Sequence, residues 1–213
     1  MSENKTKFYS IWFCVACIII FVIQNIIPGF TEAFMLTPNA LSMPWQFLTA
    51  VFLHGGIGHL FYNLFALFLF GIMLEQMIGS KKFVFMFIIT GIIANLISFF
   101  AYPNQSALGA SGAIMALIGC LAVLRPMMTV WAFNLPMPMF IAALLWAGAG
   151  FLGMFGFGDQ GIGHLAHLSG IFLGVCYGFY LRMRYDKKTI RVHQNKITID
   201  ENSMRNWEDY NLR

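Results

Sequence analysis

Gly109-Ala110-Ser111-Gly112 opens the apolar run that continues through Ala113-Ile114-Met115-Ala116-Leu117-Ile118-Gly119-Cys120-Leu121-Ala122-Val123-Leu124. From Gly112 to Leu124 the run gives about 20 Å of helix, against roughly 30 Å of bilayer hydrocarbon. A helix that short starts below the outer membrane surface, and it carries a serine between glycines at its opening. Non-helical backbone and a hydroxyl at that depth are tolerated only where protein or a water-filled cavity satisfies them. The stretch therefore predicts a cavity around Ser111.

The surrounding chain supports a membrane setting. Its 213 residues are 59% hydrophobic and only 10% charged, with a mean hydropathy of +0.71. A soluble domain of this size carries far more surface charge, so the composition predicts an integral membrane protein. The apolar runs Phe8 to Ile27, His59 to Ile78, Phe83 to Tyr102, Gly112 to Leu124, Pro138 to Phe157 and Ile162 to Leu181 read as six transmembrane helices. Phe8 to Ile27 lacks a small-residue cleavage site, so it is expected to stay as a helix rather than be removed as a signal peptide. The expected organisation is a short N-terminus (1–7), an all-α membrane domain (8–183) with a long first loop (28–58), and a polar tail (184–213). The sequence shows no internal repeat and no low-complexity segment.

Orientation follows from charge. Lys5 and Lys7 precede the first run, Lys81 and Lys82 join the second to the third, Arg125 follows the fourth, and the remaining Lys and Arg lie beyond Leu181. All 13 basic residues fall on one side of a six-helix topology. The positive-inside rule makes that side, with both termini, cytoplasmic. The outer side carries Glu32 and Asp159 as its charged residues, and its long first loop holds Trp45 among apolar residues, suited to the membrane interface. Attraction to anionic lipid accounts for the basic run Arg182 to Arg191 and the net charge of +4, with no nucleic acid required. Cys14, Cys17, Cys120 and Cys176 all lie in apolar runs and read as packing residues.

Polar groups inside the runs carry the functional signal. His59 and Asn63, four residues apart, share one helical face, and His167 stands near the outer end of the sixth run with His164 one turn closer to the surface. Ser111, His167, His59 and Asn63 thus fall in the same outer half of the bilayer. A serine hydroxyl needs a base to become nucleophilic, and histidine is suited to that task at neutral pH. The Asn63 amide, a His59 N–H and the Ser111 backbone N–H are candidate oxyanion donors. No carboxylate lies in an outer membrane half apart from the loops, which predicts a Ser-His dyad rather than a triad. Gly170 and Gly174 read as a helix-packing GxxxG. Glu75 reads as an inner-interface charge paired with Lys81 or Lys82, and His54 and His164 as interfacial residues that bind water.

Separated motifs in one order resemble the rhomboid intramembrane serine proteases from about Trp45 to Gly178. Gly109-Ala110-Ser111-Gly112 is similar to the family's GxSG. Ala166-His167-Leu168-Ser169-Gly170 followed by Gly174 is similar to its AHxxGxxxG, and His54 through His59 to Asn63 to its HxxxxHxxxN; Glu75 and Gly79 resemble an ExxxG. The resemblance implies a six-helix bundle around an outward-open, water-filled cavity, with Ser111 as nucleophile, His167 as general base and acid, and His59 and Asn63 stabilising the oxyanion. It implies transmembrane protein substrates cut near their outer ends, a cell-membrane location and no cofactor. Two positions depart from relatives: Gln46 stands where many have arginine after Trp45, and Met115 where some have tyrosine. A rhomboid-like protein that binds without cutting lacks the serine or histidine, which this chain keeps. A transporter needs a polar path to the inner face, which these runs lack. The sequence leaves two candidate gates, the first-loop region and the outer part of the fifth run, which Gly148, Gly150, Gly153 and Gly156 loosen.

Overall fold

The structure, a computed structural model, describes residues 6–132, 134–155 and 163–194, with side chains as far as 184. The expectations for Lys5, for the end of the fifth run at Gly156 and Phe157, for the loop Gly158 to Gly161 with Asp159, for Ile162 and for the tail 195–213 lie outside those residues. What is described is mostly helical. Four described helices are long and apolar enough to cross a membrane, Tyr9–Ile26, Ile57–Ile78, Ser80–Ala101 and Gly163–Arg184, and the shorter apolar helices Ser111–Leu124 and Met139–Met154 lie among them. The chain is a multi-pass integral membrane protein.

The first helix, α1 (Tyr9–Ile26), buries the small residues Ser10, Cys14 and Cys17 and turns large ones such as Trp12, Ile19 and Ile26 outward. Small-in and large-out is the arrangement lipid favours, because close helix approach, and not water exclusion, holds the bundle together. The four cysteines are free thiols. The first turn of α1 has no cap of its own; Glu75 supplies one from another element. The fully buried Glu75 carboxylate accepts from the Tyr9 and Ser10 backbone N–H groups at 2.9 Å, from Ser10 Oγ at 3.0 Å and from Ser80 Oγ at 2.6 Å. Beyond the inner-interface charge expected from the sequence, Glu75 is thus a helix cap. A negative group at the positive end of a helix, with four donors on its oxygens, is stabilised by both the dipole and the hydrogen bonds.

The long first loop is folded. It contains α2 (Phe30–Phe34), α3 (Gln46–Thr49) and a 3₁₀ turn, Ala50–Phe52, and it packs Leu36, Ala40, Phe47 and Ala50 against Phe99. Gln46 organises it: its Oε1 accepts from the Thr37 N–H and hydroxyl at 3.1 and 2.8 Å, and its Nε2 donates to the Glu32 and Ala33 carbonyls at 3.4 and 3.3 Å. A neutral amide therefore ties the loop at the position where the sequence departs from arginine.

The second span joins α4 (Ile57–Ala66) to α5 (Ile72–Ile78) through a π-helical turn, Leu67–Gly71. Gly79, at φ 86°, turns the chain sharply into α6 (Ser80–Ala101). The central helix α7 (Ser111–Leu124) is buried nearly all round, as its unbroken apolarity requires. Between it and α8 (Met139–Met154) stands an antiparallel hairpin, β1 (Thr129–Ala132) and β2 (Leu135–Pro138), in register from Thr129↔Pro138 to Ala132↔Leu135. Hydropathy predicts a loop here and a fifth helix from Pro138, but Pro138 instead ends β2 and the helix starts at Met139. The last helix, α9 (Gly163–Gln194), continues past Leu181, where the apolar run ends, because neither glycine nor proline interrupts the chain from Phe179 to Gln194.

Glycine sets how closely α7 and α9 pack. A Cβ on Gly170 would strike the Gly112 carbonyl, one on Gly174 the Ala116 carbonyl, and one on Gly119 the Ile171 carbonyl. Backbone lies against backbone, and that contact brings the outer part of α9 to the opening of α7.

Candidate active site

Ser111 is the first residue of α7, preceded by Ala110 with no side-chain cap. The opening N–H groups of a helix have no intrahelical acceptor, so those of Ser111, Gly112 and Ala113 present donors and the positive end of the helix dipole. Gly109, at φ 127°, delivers the chain to this start, and its N–H is held by the Ala50 carbonyl at 2.8 Å. A side chain there would be strained, and its Cβ would lie 2.7 Å from the His59 ring. His59 therefore rests directly against the backbone two residues before Ser111.

His167, on the first turns of α9, places Nε2 2.7 Å from Ser111 Oγ. With Nε2 unprotonated, the hydroxyl donates to it, the geometry in which a base takes a serine proton. Both residues line a cavity of 610 Å³, together with His59 and His164. Gly163 lies beside the His167 ring, its Cβ position 3.4 Å from Cε1 and Nε2, an ordinary contact distance.

Asn63 is placed differently. It lies one turn along α4 from His59, nearly buried, and its Nδ2 donates to the His59 carbonyl at 2.8 Å. Ser111, His167 and His59 meet at one cavity, while the Asn63 amide is engaged with its own helix.

His54 is buried and not at the interface. It is 1% exposed, both ring nitrogens lack a protein hydrogen-bond partner among the described residues, and its ring stands edge-on to His59 at 5.2 Å between centroids. Its backbone is clamped by Gln24 of α1, whose Oε1 accepts from the His54 N–H at 3.0 Å. Burial, and next the nearby His59, push the His54 imidazole down to about 4.

The cavity's far wall escaped the sequence reading. Gly91, Ala94, Asn95 and Ser98 line it from α6, and their spacing of three and four residues marks one helical face. Asn95 Nδ2 donates to the Phe47 carbonyl at 2.9 Å and so ties that wall to the folded first loop. The signal is Asn95 and Ser98 beside Thr90 in an otherwise apolar run, hidden by the run's overall hydropathy.

The chain is similar to several known proteins. Over 169 residues the chain is 32% identical to "Rhomboid protein 1, mitochondrial" of Saccharomyces cerevisiae, covering 74% of this chain and 47% of that one. It is 33% identical over 146 residues to "RHOMBOID-like protein 6, mitochondrial" of Arabidopsis thaliana, covering 66% of this chain and 44% of the relative. It is 28% identical over 173 residues to "Rhomboid protease GlpG" of Haemophilus influenzae, covering 76% and 85%. The chain thus spans about half the length of the yeast and plant relatives. The Rhomboid domain matches residues 41–184. That match takes in α3, Ser111, His167, His59 and the apolar part of α9, and with it the chain belongs to the rhomboid family.

Proposed function

We propose that this chain is an intramembrane serine endopeptidase working with a Ser111–His167 dyad. The observation that carries the reading is the 2.7 Å approach of His167 Nε2 to Ser111 Oγ at the mouth of an uncapped helix, inside a cavity roomy enough for a peptide segment and water. Ser111 Oγ attacks the carbonyl carbon of the scissile bond while His167 takes its proton. The Ser111 N–H at the start of α7 and the His59 ring stabilise the oxyanion, and Asn63 joins them when its amide turns from the His59 carbonyl. His167 returns the proton to the leaving amine. A cavity water, deprotonated by His167, then hydrolyses the acyl-enzyme and frees Ser111.

The substrates on this reading are transmembrane proteins, cut near the outer end of their helix by a six-span bundle with both termini cytoplasmic, in a cell membrane. "Rhomboid protease GlpG" and "Rhomboid protease GluP" of Bacillus subtilis, named as proteases, support it.

The test is labelling of the detergent-solubilised protein by a fluorophosphonate serine probe. Wild type is expected to label, and Ser111→Ala and His167→Ala to lose labelling while keeping wild-type circular dichroism. An unlabelled but folded wild type refutes the dyad and favours a rhomboid-like protein that binds membrane partners without cutting them.

A further inference from the structure

Away from Ser111, a second concavity of 780 Å³ opens between the end of α5 and the base of the β1–β2 hairpin. Met73, Gln76, Met77, Arg125, Met127 and Met128 line it. Flexible thioethers make walls that adapt to an irregular apolar guest. Two polar groups stand among them, the Arg125 guanidinium and the Gln76 amide. Among the described residues neither side chain has a hydrogen-bond or ion-pair partner. A cation with no counterion among the described residues, beside an apolar wall, is suited to a guest that is anionic at one end and hydrocarbon at the other.

Its level in the membrane follows from the elements that bound it. α5 ends at Ile78 and α7 at Leu124, and the basic residues Lys81, Lys82 and Arg125 follow directly. The crevice thus sits where apolar helix gives way to the basic side. α8, of 16 residues, is about 24 Å long and falls short of roughly 30 Å of hydrocarbon, leaving the remaining depth to the hairpin. The hairpin buries Val130 and Ala132 in the core and turns Trp131 outward at 74% exposure, flanked by exposed Met127 and Leu135. This surface continues the outward face of α8, where Phe140, Ile141, Leu144 and Leu145 are exposed. Tryptophan is the side chain favoured at the junction of headgroup and acyl chain.

We propose that this crevice is a site for one anionic phospholipid. Its phosphate is held by Arg125 in the fork geometry guanidinium offers, with Gln76 as second donor. One acyl chain runs along Met73, Met77 and Met127, and Trp131 packs at the glycerol level. A zwitterionic lipid brings its own ammonium beside Arg125 and leaves that charge less well matched.

Native mass spectrometry of the full chain in mild detergent, titrated with phosphatidylglycerol or phosphatidylcholine, tests the site. Wild type is expected to retain one phosphatidylglycerol about tenfold more readily than phosphatidylcholine, and Arg125→Gln to lose that preference, as removal of one charge-assisted contact requires. Met77→Trp, which fills the crevice and keeps every charge, is expected to expel the lipid too, and it stands in should Arg125→Gln fail to fold. Equal retention of the two lipids overturns the proposal. So does a preference untouched by both variants, or one lost equally in Lys81→Gln/Lys82→Gln, which would make the attraction diffuse. Displacement of the lipid by millimolar inorganic phosphate would make it a site for soluble anions and overturn it as well.

Discussion

A single carboxylate, Glu75, holds the foot of α1 to the turn between α5 and α6. Replacing it by alanine leaves two backbone N–H groups and two hydroxyls without their acceptor, and the expected loss is about 3 kcal/mol, read as a lower midpoint of thermal unfolding in detergent. Glu75→Gln, which keeps one acceptor, is expected to lose less. His54 gives a prediction in pH. Its imidazole sits near 4 in the folded protein and near 6.5 when unfolded, so the unfolded chain binds more protons between those values. Stability is expected to fall as pH drops from about 6.5 toward 4, and His54→Phe to flatten that fall, measured as the unfolding midpoint against pH. Asn63 tests the oxyanion reading: with its amide hydrogen-bonded to the His59 carbonyl, Asn63→Ala is expected to slow cleavage by something like tenfold to a thousandfold if the amide turns to the oxyanion during reaction. An unchanged rate removes Asn63 from that role.

Among the elements, the α7–α9 pair couples packing to chemistry. The carbonyls of Gly112 and Ala116 occupy the space that side chains at Gly170 and Gly174 would need, so even one added methyl pushes the helices apart. Gly170→Ala is expected to cost about 1–3 kcal/mol of stability. It should also draw His167 away from Ser111 and weaken fluorophosphonate labelling more than it weakens folding. A labelling rate equal to wild type would separate the packing from the catalytic geometry. The hairpin shows another route from residues to structure. Asn134 takes a positive φ of 61° at its turn, a conformation asparagine tolerates better than most residues, and Val130 and Ala132 alternate inward along β1. That signal is only four residues long on each strand, and the surrounding hydropathy masks it.

For the molecule as a whole, the cavity is a product of α4, α6, α7 and α9 together. A transmembrane substrate of the proposed protease would enter it from the side, through the glycine-loosened α8 beside the second span or through the first-loop region. Phe70 and Trp146, edge to face at 6.1 Å, form a contact between the second span and α8. A disulfide between cysteines placed at the outer ends of α4 and α8 is therefore expected to block cleavage of a transmembrane substrate while fluorophosphonate labelling of Ser111 persists. Continued cleavage under oxidising conditions would place the entry elsewhere.

Hydropathy written along the chain was enough to predict a membrane protein and the approximate course of its helices, since a bilayer demands long apolar runs wherever the chain crosses it. The expense of polar groups at that depth likewise made Ser111, His167, His59 and Asn63 legible as candidates. Tertiary structure alone decided the partners. Glu75 caps a helix 65 residues away, Gln46 ties a loop, Asn95 faces the cavity, and the Asn63 amide binds its own helix while Ser111 and His167 meet across 56 residues. Such contacts depend on how helix faces rotate against one another, which is set by the fit of small residues between backbones. Spacing along a single helix carries that information only for neighbours one turn apart.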